Sequence, residues 1–256
     1  MINETLSRLP LLLAVSAYIL FWTCEAIGSE NVAAAQPGRR RGNLLISVIS
    51  FSLSGIIATG LLALASWTSQ RGWGLLALLR TPPWISWSFG VLLLDVTDYW
   101  RHRASHSVDW IWRLHRVHHT DVAMDVTTSF RNHPLEMVLR AAFLAPAIVA
   151  FGIPPISLLL QPILMLPVLV FQHANIRLPP WLDGALAWLV VTPGMHIVHH
   201  SRAMQEANSN FATVLTIWDR LFGTFQGAAR PTALGVEGFD GVRARALGAM
   251  LATPWR

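Results

Sequence analysis

From residue 44 to residue 67 the chain carries no charged side chain. At about 1.5 Å per residue, a helix over that run is roughly 36 Å long, more than the ~30 Å hydrocarbon core of a bilayer. A segment in hydrocarbon must satisfy its own backbone hydrogen bonds, so this run is expected to be a membrane helix. Residues 9–27 form another long apolar stretch, broken by Ser16, Thr23 and Glu25. A third begins at 84, where Pro83 suits a first helical turn, and it can continue as helix through Tyr99, His102 and His106. Residues 136–151 and 156–171 are apolar arms of ~16 residues, roughly 24 Å each, around Gly152 and Pro154-Pro155. They read as a helical hairpin. Only 13% of residues are charged, against about 25% in soluble domains. The expected fold is a single-domain (1–256), all-α, multi-pass integral membrane protein. It would hold a bundle of about four transmembrane helices, hairpin included.

The formal charge is +5 without a long basic run, so no nucleic-acid partner is indicated. Arg39, Arg40 and Arg41 read as a topology signal that keeps their loop in the cytoplasm. Counting spans from there, all ten histidines emerge on the cytoplasmic side. Ala33-Ala34-Ala35 is a small-residue candidate for signal cleavage. The preceding run is long for a signal peptide and its positive cluster follows it, so a retained anchor is expected. Trp67, Trp73, Trp84 and Trp87 suit the membrane–water boundary. Residues 73–79 and 181–191 read as interfacial pieces.

Histidine is the chemistry-bearing residue. Eight of the ten fall in three boxes: His102 and His106; His115, His118 and His119; His196, His199 and His200. Residues three and four apart share a helix face, so each box is expected to present its imidazoles in one direction. Eight imidazoles exceed the need of one ion, which makes two metals the natural reading. Imidazole suits iron, zinc, copper and nickel. The single cysteine, Cys24, excludes an intrachain disulfide, a Cys-ligated iron–sulfur cluster and a Cys-x-x-Cys-His haem site. His133 and His173 are further candidate ligands, although a lone histidine is more often a satisfied core or surface group. His173 is favoured by its place at the end of a span. Asp98, and with it Asp95, is expected to orient a ligating ring by accepting its second N–H.

The residues around the boxes resemble a known family. The run from Asp95 through Tyr99-Trp100 to His102-Arg103 and His106 carries the likeness, as does Trp112-Arg113-Leu114-His115-Arg116-Val117-His118-His119. So do Arg131-Asn132-His133-Pro134-Leu135-Glu136, Thr192-Pro193-Gly194-Met195-His196-Ile197-Val198-His199-His200, and Trp218-Asp219-Arg220-Leu221-Phe222-Gly223-Thr224. Together they are similar to the sterol desaturase/fatty acid hydroxylase superfamily over about 84–226. The resemblance implies a membrane di-iron oxygenase that hydroxylates or desaturates a lipid C–H bond with dioxygen. It implies a cytosolic helical cap carrying a histidine-rich dimetal site. The eight box histidines take the ligand role, and His173 and His133 resemble further ligand positions. Where the family often shows Asn-Tyr-Gly, this chain has Asn210-Phe211-Ala212. No haem domain or motif is recognised, so electrons are expected from a separate partner, a reductase with a ferredoxin or a haem electron carrier. Two iron ions fit the chemistry. Zinc has no redox chemistry, although it can occupy such a site in a purified sample.

Two other functions fit the pattern less well. A transition-metal transporter or storage protein would place histidines within the spans, along a path. A zinc-dependent membrane hydrolase would pair its histidines with a general-base glutamate, as in His-Glu-x-x-His, and no box contains Glu.

Overall fold

The computed structural model describes residues 2–28, 38–239, 241 and 245–256, with side chains described from residue 9 and not for residue 28. Ala33-Ala34-Ala35 lie outside the described residues. In chain order the helices are α1 (Ile2–Gly28), α2 (Arg39–Gln70), α3 (Leu75–Leu78), α4 (Pro83–Ser107), α5 (Asp109–His119), α6 (Pro134–Phe151), α7 (Pro155–His173), α8 (Pro180–Leu186), α9 (Pro193–His199), α10 (Met204–Ala207), α11 (Ile217–Leu221) and α12 (Leu247–Ala252). Two isolated antiparallel bridges, Val190–Leu215 and Ser201–Leu234, tie the connecting loops.

Among the described residues, four segments are long and apolar enough to cross a membrane: Leu9–Ile27, Arg39–Leu78, Pro134–Phe151 and Pro155–His173. The fold is thus all-helical with four candidate spans. α4 is not among them. Its helix runs unbroken from the apolar 84–96 stretch into the first histidine box, but charged residues begin at Asp95 and shorten the apolar part. The hairpin arms are 18 and 19 residues, about 27 and 28 Å by helix rise, longer than the sequence suggested. Gly152 closes α6 at φ +67°, and a Cβ there would lie 2.4 Å from the Trp73 carbonyl oxygen. Only glycine meets both demands at the hairpin turn.

α1 packs on α7, α2 on α6, and α4 on both hairpin arms. Leu61, Leu94, Leu144, Ile148 and Ile153 form the apolar core between α2, α4 and the hairpin. Polar groups gather at the opposite end of these helices. Glu25, near the C-terminus of α1, accepts the backbone N–H groups of Val126 and Asn175 at 2.9 and 2.7 Å. Arg39, opening α2, is 1% exposed and pairs with Asp121 at 2.7 Å and with Asp125. The C-terminal half of α4, the start of α6 and the end of α7 meet there too.

That arrangement corrects a simple reading of the arginine triplet. Arg41 is exposed, but Arg39 is a buried structural cation and Arg40 donates to Asp125 at 2.8 Å. Arg131 completes the joint. It donates to the carbonyl of Val117, to Asn43 and to the Thr120 hydroxyl. Removing charges from water is offset only by such pairing and hydrogen bonding. The loop after the second box is thereby locked to α2.

Candidate metal centre

The histidines sort into two groups. His102, His106, His115, His119 and His199 form one; His118, His173, His196 and His200 form the other, and within each group the ligand atoms lie within 4.8 Å of one another. The groups adjoin, with the His119 and His200 rings stacked at 4.6 Å between centroids.

The partition corrects the expectation that each box points one way. Residues four apart differ by about 40° around a helix, while adjacent residues differ by about 100°. Accordingly His115 and His119 share a group and His118 turns to the other. The third box does the reverse: His196 and His200 stay together and His199 crosses over.

Backbone and carboxylate acceptors set the rings. The Nδ1 of His102 meets the Phe211 carbonyl at 2.8 Å, that of His173 the Leu169 carbonyl at 2.7 Å, and that of His199 the Ser209 carbonyl at 2.7 Å. The Nδ1 of His115 donates to Glu136 Oε1 at 2.7 Å. A ring that donates through Nδ1 presents a bare lone pair at Nε2. The Nε2 atoms of these and the neighbouring rings converge. The His115–His119 and His106–His119 pairs are 3.2 Å apart, His118–His173 3.1 Å, His173–His196 2.9 Å and His196–His200 3.1 Å. The Nε2 atoms of His102 and His199 are buried with no partner at all.

Metal ions fit this donor set. With a metal–nitrogen bond of about 2.1 Å, neighbouring ligand nitrogens are about 3.0 Å apart in an octahedron and about 3.4 Å in a tetrahedron. Four of the five observed spacings fall in that interval, and the fifth, 2.9 Å, lies just below it. Facing lone pairs at such distances repel unless a cation sits among them. Burial also holds the rings neutral, as ligands must be. It pushes the pKa of His102, His106, His115, His118, His119, His196 and His200 well below the usual 6.5 and that of His199 down to about 4.

Three expectations from sequence change here. His133 joins neither group. Its Nδ1 accepts the Leu135 N–H at 3.2 Å, capping α6, and its Nε2 faces the Leu251 carbonyl at 3.2 Å. One nitrogen accepts and the other donates, which leaves no lone pair for a metal. Asp98 does not touch an imidazole. It binds Arg140 through both oxygens at 2.8 and 2.7 Å and accepts from Gln161 at 3.0 Å. Asp95 accepts the Trp218 indole N–H at 2.7 Å and the Leu215 N–H at 3.2 Å. The carboxylate that holds a ring is Glu136. Its signal was its place in Arg131-Asn132-His133-Pro134-Leu135-Glu136, but its partner is 21 residues away.

The last motif supports the first box. Asp219 accepts the N–H groups of Phe211 and Ala212 at 2.7 and 3.0 Å and the Thr224 hydroxyl at 2.7 Å. It thereby holds the carbonyl that orients His102. The hydrogen bond to His102 is made by the Phe211 backbone, and the Phe211 ring packs edge-on against His102 with centroids 5.7 Å apart.

A cavity of about 450 Å³ opens beneath the histidines, lined by His102, His115, His118, His173 and His196 at one end and by Leu61, Leu94 and Leu144 at the other.

A model of the fatty acid hydroxylase family matches residues 87–224, a region holding all nine clustered histidines and the Asp219 motif. The chain is 34% identical to an alkylglycerol monooxygenase of Xenopus tropicalis, over 62% of this chain and 34% of that protein. It is 29% identical to the ornithine lipid hydroxylase OlsE of Rhizobium tropici, over 65% and 49%. It is 28% identical to methylsterol monooxygenase 2-2 of Arabidopsis thaliana, over 83% and 78%. The chain spans about a third to a half of the length of the first two relatives. No solved structure matches it. With its boxes, their flanks and more than half of its length inside the matched region, the chain belongs to the fatty acid hydroxylase family.

Proposed function

We propose that this protein is a membrane-bound lipid hydroxylase that uses two iron ions, dioxygen and electrons from a separate donor protein. One observation carries the reading: two adjoining nests of Nε2 lone pairs stand at the mouth of an apolar cavity among membrane helices. The five-histidine group would hold one ion and the His118, His173, His196 and His200 group the other. Bound iron supplies the redox chemistry that inserts oxygen into an unactivated C–H bond. The balance is one C–H, one dioxygen, two electrons and two protons giving one alcohol and one water.

The chain's own groups do the rest. Glu136 and the carbonyls of Phe211, Leu169 and Ser209 hold the rings in the tautomer that offers Nε2. Eight of the nine clustered imidazoles are buried and His106 is partly so, which keeps bulk water from the reacting centre. The leucine-lined depth of the cavity takes the hydrocarbon. The printed activities of the relatives, monooxygenases and hydroxylases, favour hydroxylation over desaturation.

The histidine-bearing end is assigned to the cytoplasm as a helical cap. Arg41, Arg101, Arg103, Arg113 and Arg116 lie at that end, as the positive-inside rule asks. The test is metal analysis of protein purified in detergent, followed by labelled dioxygen and a chemical reductant. Two irons per chain and one labelled oxygen atom in the lipid are expected. A single zinc with no dioxygen uptake refutes the assignment.

A further inference from the structure

Of the nine clustered histidines, only His106 is not fully buried. The five-histidine group therefore comes nearest to the surface at the end of α4. Trp112 stands beside it on α5, about one turn before His115. Its ring lies 4.9 Å from that of His106, 5.3 Å from His119 and 6.3 Å from His115, centroid to centroid. These are contact distances for aromatic rings. Trp112 is itself only partly buried, so one indole joins the surface to three rings of the group. Phe211 also touches His102, His106 and His199, but it is 3% exposed. The surface around this window is cationic. Residues 100–119 carry Arg101, Arg103, Arg113 and Arg116 against Asp109 alone. Arg103, three residues before His106, and Arg116, four after Trp112, lie on the helix faces of those two residues. Arg113 is exposed, as are Val108 and Trp110 at the turn between α4 and α5. Arginine and aromatic residues are enriched where proteins meet.

We propose that this window is the docking surface for the electron donor of the hydroxylase reading above, on which the proposal rests, and that the donor is an acidic one-electron carrier protein. Trp112 and His106 are where its electrons enter. Each encounter oxidises the carrier by one electron and reduces the metal centre by one, with no atom transferred, so two encounters serve one hydroxylation. Electron transfer weakens steeply with distance, and the other eight imidazoles are buried. The cavity also reaches the histidines, but its walls are membrane helices, which a carrier protein does not enter. Opposite charge brings such partners together quickly and lets them part again, as a carrier that must visit twice requires. Anionic lipid headgroups would meet the same arginines, but they give no use to an indole laid against three ligand rings.

Binding is tested apart from catalysis, on the full-length chain loaded with redox-inactive zinc in nanodiscs of neutral phosphatidylcholine. The probes are a plant-type [2Fe–2S] ferredoxin of negative net charge and a cytochrome c of positive net charge. In dilute buffer the ferredoxin is expected to bind at least about tenfold more tightly than the cytochrome. That preference should vanish near 1 M salt, where the screening length is about 3 Å. Arg113→Glu should weaken ferredoxin binding at least about threefold, mainly through slower association. A photo-crosslinker in place of Ser107, exposed at the end of α4, should capture the ferredoxin. With iron bound and dioxygen absent, Trp112→Leu of checked metal content should oxidise bound ferredoxin more slowly than the unaltered protein, while a small chemical reductant reduces both at one rate. Equal binding of the two carriers overturns the proposal, as does ferredoxin binding that ignores both salt and Arg113→Glu. Crosslinks from position 107 to lipid alone overturn it in favour of a headgroup surface, and an unchanged ferredoxin oxidation rate in Trp112→Leu removes the entry point. If ferredoxin binds as expected but the iron-loaded protein oxidises no lipid, the hydroxylase reading fails and the docking surface stands.

Discussion

Glu136→Leu removes the carboxylate that holds His115. Both residues are buried, and the contact is 2.7 Å between Nδ1 and Oε1. A hydrogen bond to a charged group contributes about 1.5–3 kcal/mol net. Loss of a carboxylate behind a ligating histidine lowers metal affinity about 10–100-fold, equivalent to about 1.4–2.8 kcal/mol. The two routes to the magnitude agree, because the bond's main effect is to fix the tautomer and aim of one ligand. The assay is dialysis of iron-loaded protein against graded chelator, with iron per chain read by mass spectrometry. The midpoint for Glu136→Leu is expected at a chelator strength at least about tenfold lower, with the ion of the five-histidine group leaving first. Glu136→Gln keeps an acceptor oxygen but not the charge, so its midpoint lies between the two. Circular dichroism checks that the helices persist. A Glu136→Leu protein that releases both ions at the unaltered midpoint refutes the role given to this carboxylate.

His173→Ala should cut bound metal to about half, whereas His133→Ala should retain it, because His133 spends both nitrogens on protein partners; metal loss in His133→Ala would contradict that hydrogen-bond assignment. Arg39→Met strips the cation from Asp121 and Asp125, a loss of about 3–5 kcal/mol for a broken buried pair. Its thermal midpoint in detergent should drop on the order of 10 °C, and an unchanged midpoint would show the pair to be idle. Reporter fusions after Arg71 and after Arg202 should report opposite sides of the membrane, with Arg202 inside. This needs α4 to carry the chain back across, since the four candidate spans alone would leave both on one side; the same side for both would show that α4 does not cross.

Features written in local spacing were legible in the sequence. The charge-free run became α2, the proline-flanked arms became the hairpin, and the boxes became a cluster. His173 was legible because a span ended on it. What escaped depends on pairing between distant segments. Asp98 looks like a ring partner when only the neighbouring His102 is in view. Arg140, 42 residues on, claims both its oxygens. Glu136 stands in the sequence only as one letter of a motif, since nothing local marks His115 as its partner. Beyond Gly227 the sequence carries no motif, yet Arg116 donates to the carbonyls of Thr253 and Arg256, and the Leu251 carbonyl occupies His133. Backbone acceptors such as these have no sequence signature.

The crossing-over of His118 and His199 fixes where the chain can change length. One extra residue in a loop between boxes shifts nothing that a loop cannot absorb. One extra residue between His115 and His118 turns both following histidines by about 100°. His118 would then stand where His119 stood, and His119 would face away from both nests. The five-histidine position would be refilled by His118, and the four-histidine position would lose a ligand from one inserted codon. Such a gene can diverge by substitution and by loop growth, but its boxes must be inherited as indivisible words.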